Sequence, residues 1–366
     1  MKKVIQKLVL GLLLTTSVTT ITFAQTWQTV GTGTFTTGNV DRTALKFHPT
    51  NGEPYVAYKD NANGNKASVR KFDGTNWVTV GTTGFSEGAI YYTSLDFSPG
   101  GEPYVAYCDS VNSYKATVMK FNGTNWITVG TAGFSTDAVN YTYLAFSPLG
   151  DPYVAYQDLS NLKATVKKFN GTDWETVGTE GFSAGNINYI SLAFNNSGEP
   201  YVAYRDDATF QYKATVMKFD GTDWVTVGSP EFSVGRADHP SLAFSSSDEV
   251  YVAYGDGANA YKATVMKFDG TNWVNVGTAG FSAGGAGSSS LVFSPGGEPY
   301  VVFGDYGSSG KATVMKFDGT SWLNVGTAGF STNEANYPSL AFSPGGEPYV
   351  SYNNGDEGAG AGYVMK

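Results

Sequence analysis

Tryptophan occurs seven times, at 27, 77, 126, 174, 224, 273 and 322, with successive steps of 50, 49, 48, 50, 49 and 49 residues. A fixed period of this size marks a repeat architecture, in which each unit must bury its apolar face against its neighbours. The unit is clear in residues 115–158, KATVMKFNGTNWITVGTAGFSTDAVNYTYLAFSPLGDPYVAYQD, which recur with small changes along the chain. It holds four short apolar runs, at 115–121, 126–129, 144–146 and 153–156. They are rich in Val, Thr, Tyr, Phe and Trp, too short for helices, and bounded by Gly, Pro, Asn and Asp, so each is predicted to be a strand. Asn122-Gly123, and Asp-Gly at 73–74, 220–221, 269–270 and 318–319, suit hairpins that need positive φ.

Four-stranded units of 45–50 residues build the blades of a propeller. The Leu of Leu-x-Phe stands at 45, 95, 144, 192, 242, 291 and 340, and the Tyr of the Tyr-Val strand at 55, 104, 153, 201, 251, 300 and 349. Both counts give seven blades, with Leu-x-Phe innermost (a), then Pro-Tyr-Val-Ala-Tyr (b), Lys-Ala-Thr-Val-Met-Lys-Phe (c) and Trp-x-x-Val-Gly outermost (d). The expected fold is therefore an all-β, seven-bladed propeller of four-stranded antiparallel blades. A lone d strand at 27–31 and a lone c strand at 363–366 complete one blade by pairing with each other, which removes the open edges of an unclosed array. The alternative is an open array with both half-blades unpaired.

Residues 1–24 begin with Lys2 and Lys3, carry an apolar run at 8–14 and end in Thr22-Phe23-Ala24, which reads as a secretory signal peptide cleaved after Ala24. Residues 25–366 then form a single propeller domain, secreted or periplasmic, with no later run long enough to span a membrane. One Cys allows no intramolecular disulfide, and Cys108 stands where other copies have unrelated side chains, so it reads as incidental. Losing the three leader Lys moves the net charge from −9 to −12, which argues against nucleic acid as a partner. The chain is expected to act as a monomer without a cofactor.

Repetition separates structural signals from functional ones. Asp60, Asp109, Asp158, Asp206, Asp256 and Asp305 close strand b, and a Lys opens strand c in the same six copies. The pair is lost jointly in the seventh, as Asn354 and Ala361, so it reads as a cross-strand fastening rather than a metal ring. The Glu of the Gly-Glu-Pro turns reads as a folding element, as does His48 beside it. Two His and one Cys without a ligand spacing give no zinc site, so no metal is expected.

The turn Phe72-Asp73-Gly74-Thr75-Asn76-Trp77 resembles the Asp box of sialidase-type propellers, which joins the third and fourth strands of a blade. Here the Asp-to-Trp spacing is one residue shorter and the leading Ser is absent. The resemblance covers about seven residues of each blade and implies a folding element. Kelch repeats are similar in architecture but carry a Gly-Gly doublet not found here. As a whole the chain resembles exported bacterial propellers with Trp-x-x-Val-Gly repeats.

Two features vary from blade to blade. Three residues before each strand-a Leu, around the channel mouth, stand Arg42, Tyr92, Tyr141, Tyr189, His239, Ser288 and Tyr337. Aromatic faces there offer a ligand surface, with packing between blades as the alternative use. The second feature is a charged sector on the same face, Arg205-Asp206-Asp207 with Glu231, Arg236, Asp238 and His239. The first functional expectation is a non-catalytic propeller binding a glycan or a surface protein through Arg42, Tyr92, Tyr141, Tyr189, Arg205, Asp207, Arg236, His239 and Tyr337. The second is a glycoside hydrolase or polysaccharide lyase using Glu231, Asp238 or His239 as acid or base, with Arg205 or Arg236 on an anionic sugar. Sialidase-type chemistry needs three clustered Arg, and the third candidate, Arg42, lies several blades away. A purely structural or assembly role is the third possibility.

Overall fold

A computed structural model describes residues 26–36, 38–355 and 360–366. The proposed leader, 1–24, lies outside the described residues. The chain forms seven antiparallel blades around a channel. In the first blade, strands a to d are Asn39–Phe47, Pro54–Asp60, Lys66–Phe72 and Trp77–Thr79. Five further blades are separate four-stranded sheets in the same order. Strands a to c of the seventh are Ala335–Phe342, Pro348–Asn354 and Gly360–Met365. Its fourth strand comes from the other end of the chain: Gln28 N donates to the Lys366 carbonyl, Lys366 N to that of Gln28, and Val30 N to that of Val364, all at 2.8 Å. The propeller is thus closed by its two termini, as the half-blades predict. Asn39 and Val40 also pair with Ala361 and Gly360, joining the first and seventh blades into one seven-stranded sheet.

The c–d hairpins owe their shape to one side chain. Asp73 Oδ1 accepts from the amides of Thr75 and Asn76 at 2.9 and 2.8 Å, and Gly74 takes φ +98°, a value that favours Gly. These amides hold the carboxyl of Asp73 below its usual range, and the same arrangement recurs at Asp220, Asp269 and Asp318.

Between blades the Trp-x-x-Val-Gly motifs interlock. Each Trp donates its indole N–H to the Val carbonyl of the preceding blade: Trp77 to Val30, Trp126 to Val80, Trp174 to Val129, Trp224 to Val177, Trp273 to Val227 and Trp322 to Val276. Trp27 donates to Val325 at 2.8 Å and completes the circle. The Gly after each Val makes room for that indole. A Cβ on Gly81 would stand 2.8 Å from Phe121 and 3.0 Å from Trp126, at a φ of +72°. The Phe of Gly-Phe-Ser stacks on the next blade's Trp, as Phe85 does on Trp126 with centroids 4.0 Å apart. Nearer the axis, a strand-b Tyr meets the next blade's strand-a Phe edge to face, from Tyr55–Phe97 round to Tyr349–Phe47.

Two details differ from the sequence reading. Strand a spans eight or nine residues rather than the three of Leu-x-Phe: it carries a buried apolar residue near its start, such as Val40 or Ile90, and then a bulge at the channel mouth that breaks the apolar alternation before Leu. The strand-b Asp does sit opposite the strand-c Lys in register, for example Asp60 opposite Lys66. Its carboxylate, however, is buried and accepts from a hydroxyl two residues further along strand c, Ser68 to Asp60 and Thr117 to Asp109 at 2.9 Å. The Lys that does form ion pairs lies at the other end of strand c and reaches the acid of the a–b turn, as Lys71–Glu53 and Lys120–Glu102, both 2.9 Å.

Trp126→Phe keeps an aromatic ring at this place but leaves the Val80 carbonyl without its donor. The expected cost is about 1–3 kcal/mol, read as a lower urea midpoint at an unchanged m-value.

Candidate functional site

Each strand a carries a β-bulge two to three residues before its Leu, seen as a shift of register between Asp41 and Ala44 in the first blade and between Asn188 and Ser191 in the fourth. The extra residue is the channel-mouth residue named from sequence. Arg42, Tyr92, Tyr141, Tyr189, His239 and Tyr337 take φ between +47° and +55°. This left-handed conformation is cheap for Gly and costs a residue with a Cβ about 1–2 kcal/mol. Six blades nonetheless place a large polar side chain there.

These six side chains form a crown of ring-to-ring contacts. The Arg42 guanidinium lies over Tyr337 at 4.3 Å and over Tyr92 at 4.4 Å. From there the contacts run Tyr92–Tyr141 (4.9 Å), Tyr141–Tyr189 (5.1 Å) and Tyr189–His239 (3.9 Å). All six are half-buried. The Tyr rings therefore touch one another around the channel mouth while remaining partly exposed to it. Ser288 fills the same place in the sixth blade, 3.5 Å from His239 Nδ1, and makes no ring contact. The crown lines two cavities: one of about 250 Å³ inside the channel, among the strand-a side chains down to Lys46, and one of about 300 Å³ above it.

The charged sector lies beside the crown. Arg205 is buried and donates to Asp207 (3.2 Å) and Asp238 (2.9 Å), while Arg236 donates to both Asp238 oxygens at 2.8 and 3.0 Å. Asn188 links Asp207 to the Tyr141 hydroxyl, and Arg205 also lies over Tyr189 at 5.1 Å. This network braces two crown residues from outside. Arg205, Asp207, Arg236 and Asp238 line neither cavity. Glu231 accepts from the Thr209 hydroxyl through both oxygens, at 2.6 and 2.7 Å, and also lines neither. The structure thus gathers Arg42, Tyr92, Tyr141, Tyr189, His239 and Tyr337 at the mouth, and does not converge Glu231, Asp238 and His239 on one cavity.

Three wall residues of the upper cavity escaped the sequence reading: Tyr306, Glu334 and Asn336. The available signal was Gly285, Gly287 and Ser288, each smaller than the residue at the same place in every other copy. Cys108 is buried and hydrogen-bonds to the Tyr114 carbonyl, and burial pushes its thiol up to about 12, consistent with an unreactive side chain. Among the described residues no group of three or more His, Cys, Asp or Glu could hold a metal ion, and no helix is long and apolar enough to cross a membrane.

No protein-family model and no curated protein sequence matches the chain. Solved structures do resemble it in fold. A protein of unknown function from Dyadobacter fermentans superposes with a TM-score of 0.53 at 12% identity, covering 93% of this chain and 98% of that one. An ulvan lyase of a polysaccharide lyase family gives 0.60 at 11%, covering 92% and 95%. That lyase has also been solved bound to a repeat of GlcA and sulfated Rha. A mutant of AofleA from Arthrobotrys oligospora gives 0.52 at 12%, covering 83% and 91%. At such identities the likeness establishes the propeller fold.

Electrostatics at the crown follow from its enclosure. Burial raises Tyr141 to about 12, helped by its Tyr neighbours. Burial lowers His239 to about 4; Arg42, Arg205 and Arg236 add to the shift, and Asp238 opposes it. His239 is therefore neutral at pH 7. Because its folded value lies below the ordinary 6.5, the unfolded chain binds more protons between those values, and stability falls as pH drops from 6.5 towards 4. His239→Asn, which tolerates the left-handed backbone, should flatten this part of the melting-temperature profile relative to wild type. Parallel profiles would show that His239 does not contribute.

Proposed function

We propose that the protein is an exported glycan-binding propeller, non-catalytic, which takes its ligand at the channel mouth. The observation that carries this reading is the crown. Six bulges hold Arg, Tyr or His in a backbone conformation that Gly would adopt at lower cost, so the side chains there bring something other than stability of the strand. Tyr and His at a concave mouth offer flat faces for the C–H side of a sugar ring and polar tips for its hydroxyls. A cavity of about 300 Å³ suits one or two sugar rings better than a protein surface.

The non-catalytic part of the proposal rests on how the charged groups are occupied. Asp238 is neutralised by two Arg, Glu231 is held by Thr209, and His239 is neutral with a value far from working pH. None is poised as an acid and base pair across one cavity. Propeller relatives in fold include a lyase that acts on a polysaccharide, which is compatible with sugar recognition by this architecture without specifying the reaction.

A glycan array with the purified protein tests the reading, followed by calorimetry on Tyr141→Gly and Tyr189→Gly. Gly fits the backbone at both sites, so folding should survive while affinity falls by about tenfold or more. Retention of no glycan at all, or affinity indifferent to both substitutions, would refute it.

A further inference from the structure

The crown is continuous from Tyr337 through Arg42 and the three Tyr to His239, and it is interrupted only at Ser288. The sixth blade is reduced around that point as well. Gly287 stands where the other copies have Asp41, Tyr91, Asn140, Asn188, Asp238 and Asn336, and Gly304 where they have Lys59, Cys108, Gln157, Arg205 and Asn353, a Gly shared with the fifth blade alone, at Gly255. At the entrance to strand c, Gly310 stands where five copies have Asn65, Tyr114, Leu162, Tyr212 and Tyr261, and the seventh has Gly360. The upper cavity follows these omissions. Beyond the crown itself, its wall comes wholly from the sixth blade and the start of the seventh.

Into this notch comes Glu334, the one carboxylate at its position; the other copies have Asn39, Ala89, Ala138, Asn186, Arg236 and Gly285. Gly310 makes its place: a Cβ there would lie 2.8 Å from Glu334 Cγ and 3.1 Å from Oε1. Among the described residues the half-buried carboxylate has no hydrogen bond or ion pair. Tyr306, 61% exposed, and Asn336 stand on the same wall. An ionised carboxylate facing a cavity calls for hydrogen-bond donors, and a pair of adjacent hydroxyls satisfies both its oxygens.

We propose that the gap at Ser288 is the entry and specificity subsite for a neutral sugar residue, whose hydroxyls Glu334 accepts while the crown supplies the stacking face. This rests on the glycan-binding reading above and narrows it. A uronic or sulfated sugar lying against Glu334 would bring two negative charges together in a partly enclosed site, with Arg42 on the same cavity wall already stacked over Tyr92 and Tyr337, whereas the hydroxyls of a neutral sugar donate hydrogen bonds to Glu334.

The test is calorimetry on the purified protein with cellohexaose, mannohexaose, an arabinan hexamer and a hexamer of galacturonate. Ser288→Tyr installs the side chain four other blades carry at this place and should complete the crown; Glu334→Gln keeps the shape and removes the charge. A melting curve for each variant confirms folding. The expected result is that a neutral hexamer binds and that both variants weaken it by about tenfold or more, with galacturonate bound poorly by wild type. A neutral hexamer held equally by wild type and both variants, yet weakened by Tyr189→Gly, would overturn the notch and leave the crown reading standing. Preference for galacturonate would overturn the neutral-sugar assignment alone. Binding of no probe would overturn this inference, and the wider array would then decide the glycan reading independently.

Discussion

The structure depends on an indole N–H reaching across a blade boundary. Strand d is the outer edge of its sheet and only three residues long, so the Val carbonyl just beyond it has no further strand to pair with. The next blade's Trp satisfies that carbonyl, and the Gly that follows makes space for the ring at a φ that Gly adopts freely. Trp-x-x-Val-Gly is thus one motif serving two blades: its Trp points back and its Val-Gly receives from ahead. Such a device is complete only on a circle. In an open row the last Val carbonyl and the first indole would be left over, and here Val325 and Trp27 satisfy each other. Closure is consequently a requirement of the same bond that spaces the blades.

That logic explains how much of the fold is legible in the sequence. Blade number, strand order and terminal pairing follow from residues whose identity is fixed by packing, and those residues repeat. The first half of strand a gives no apolar period because the bulge after its buried residue, Val40 or Ile90, places Arg42 or Tyr92 at the channel mouth and interrupts the alternation before Leu. The buried Asp closing strand b takes a partner other than the one its register suggests. Asp60 and Lys66 are opposite in register, but the Asp carboxylate lies under the hairpin with Ser68 while Lys66 is only half-buried. Sequence supplies register; the direction of a side chain comes from the fold.

The site divides along the same line. Arg42, Tyr92, Tyr141, Tyr189, His239 and Tyr337 share one repeat position, so a count from Leu finds them all. What that count cannot show is that they sit in bulges at positive φ, or that they touch in sequence around the axis. The gap at Ser288 was present in the same series, but its meaning depends on Gly304, Gly310 and Glu334, which come together only when the sixth and seventh blades meet. The charged sector shows the reverse case. Arg205, Asp207, Arg236 and Asp238 stand out in sequence, yet they largely neutralise one another and steady Tyr141 and Tyr189 from behind.

Seven near-identical blades would give a mouth with sevenfold symmetry, and a small asymmetric ligand cannot be recognised uniquely by such a mouth. Symmetry has to be broken where the ligand lies and preserved where the blades lock. The indole-to-carbonyl bond lies on the outer rim and recurs in all seven blades. The bulge stands at the inner rim, where strand pairing is already interrupted and the side chain can change without disturbing a ladder bond. Variation is therefore cheapest in the ring of positions nearest the axis, and there the chain places one Arg, four Tyr, one His and one Ser. The single small member is the point at which that ring opens.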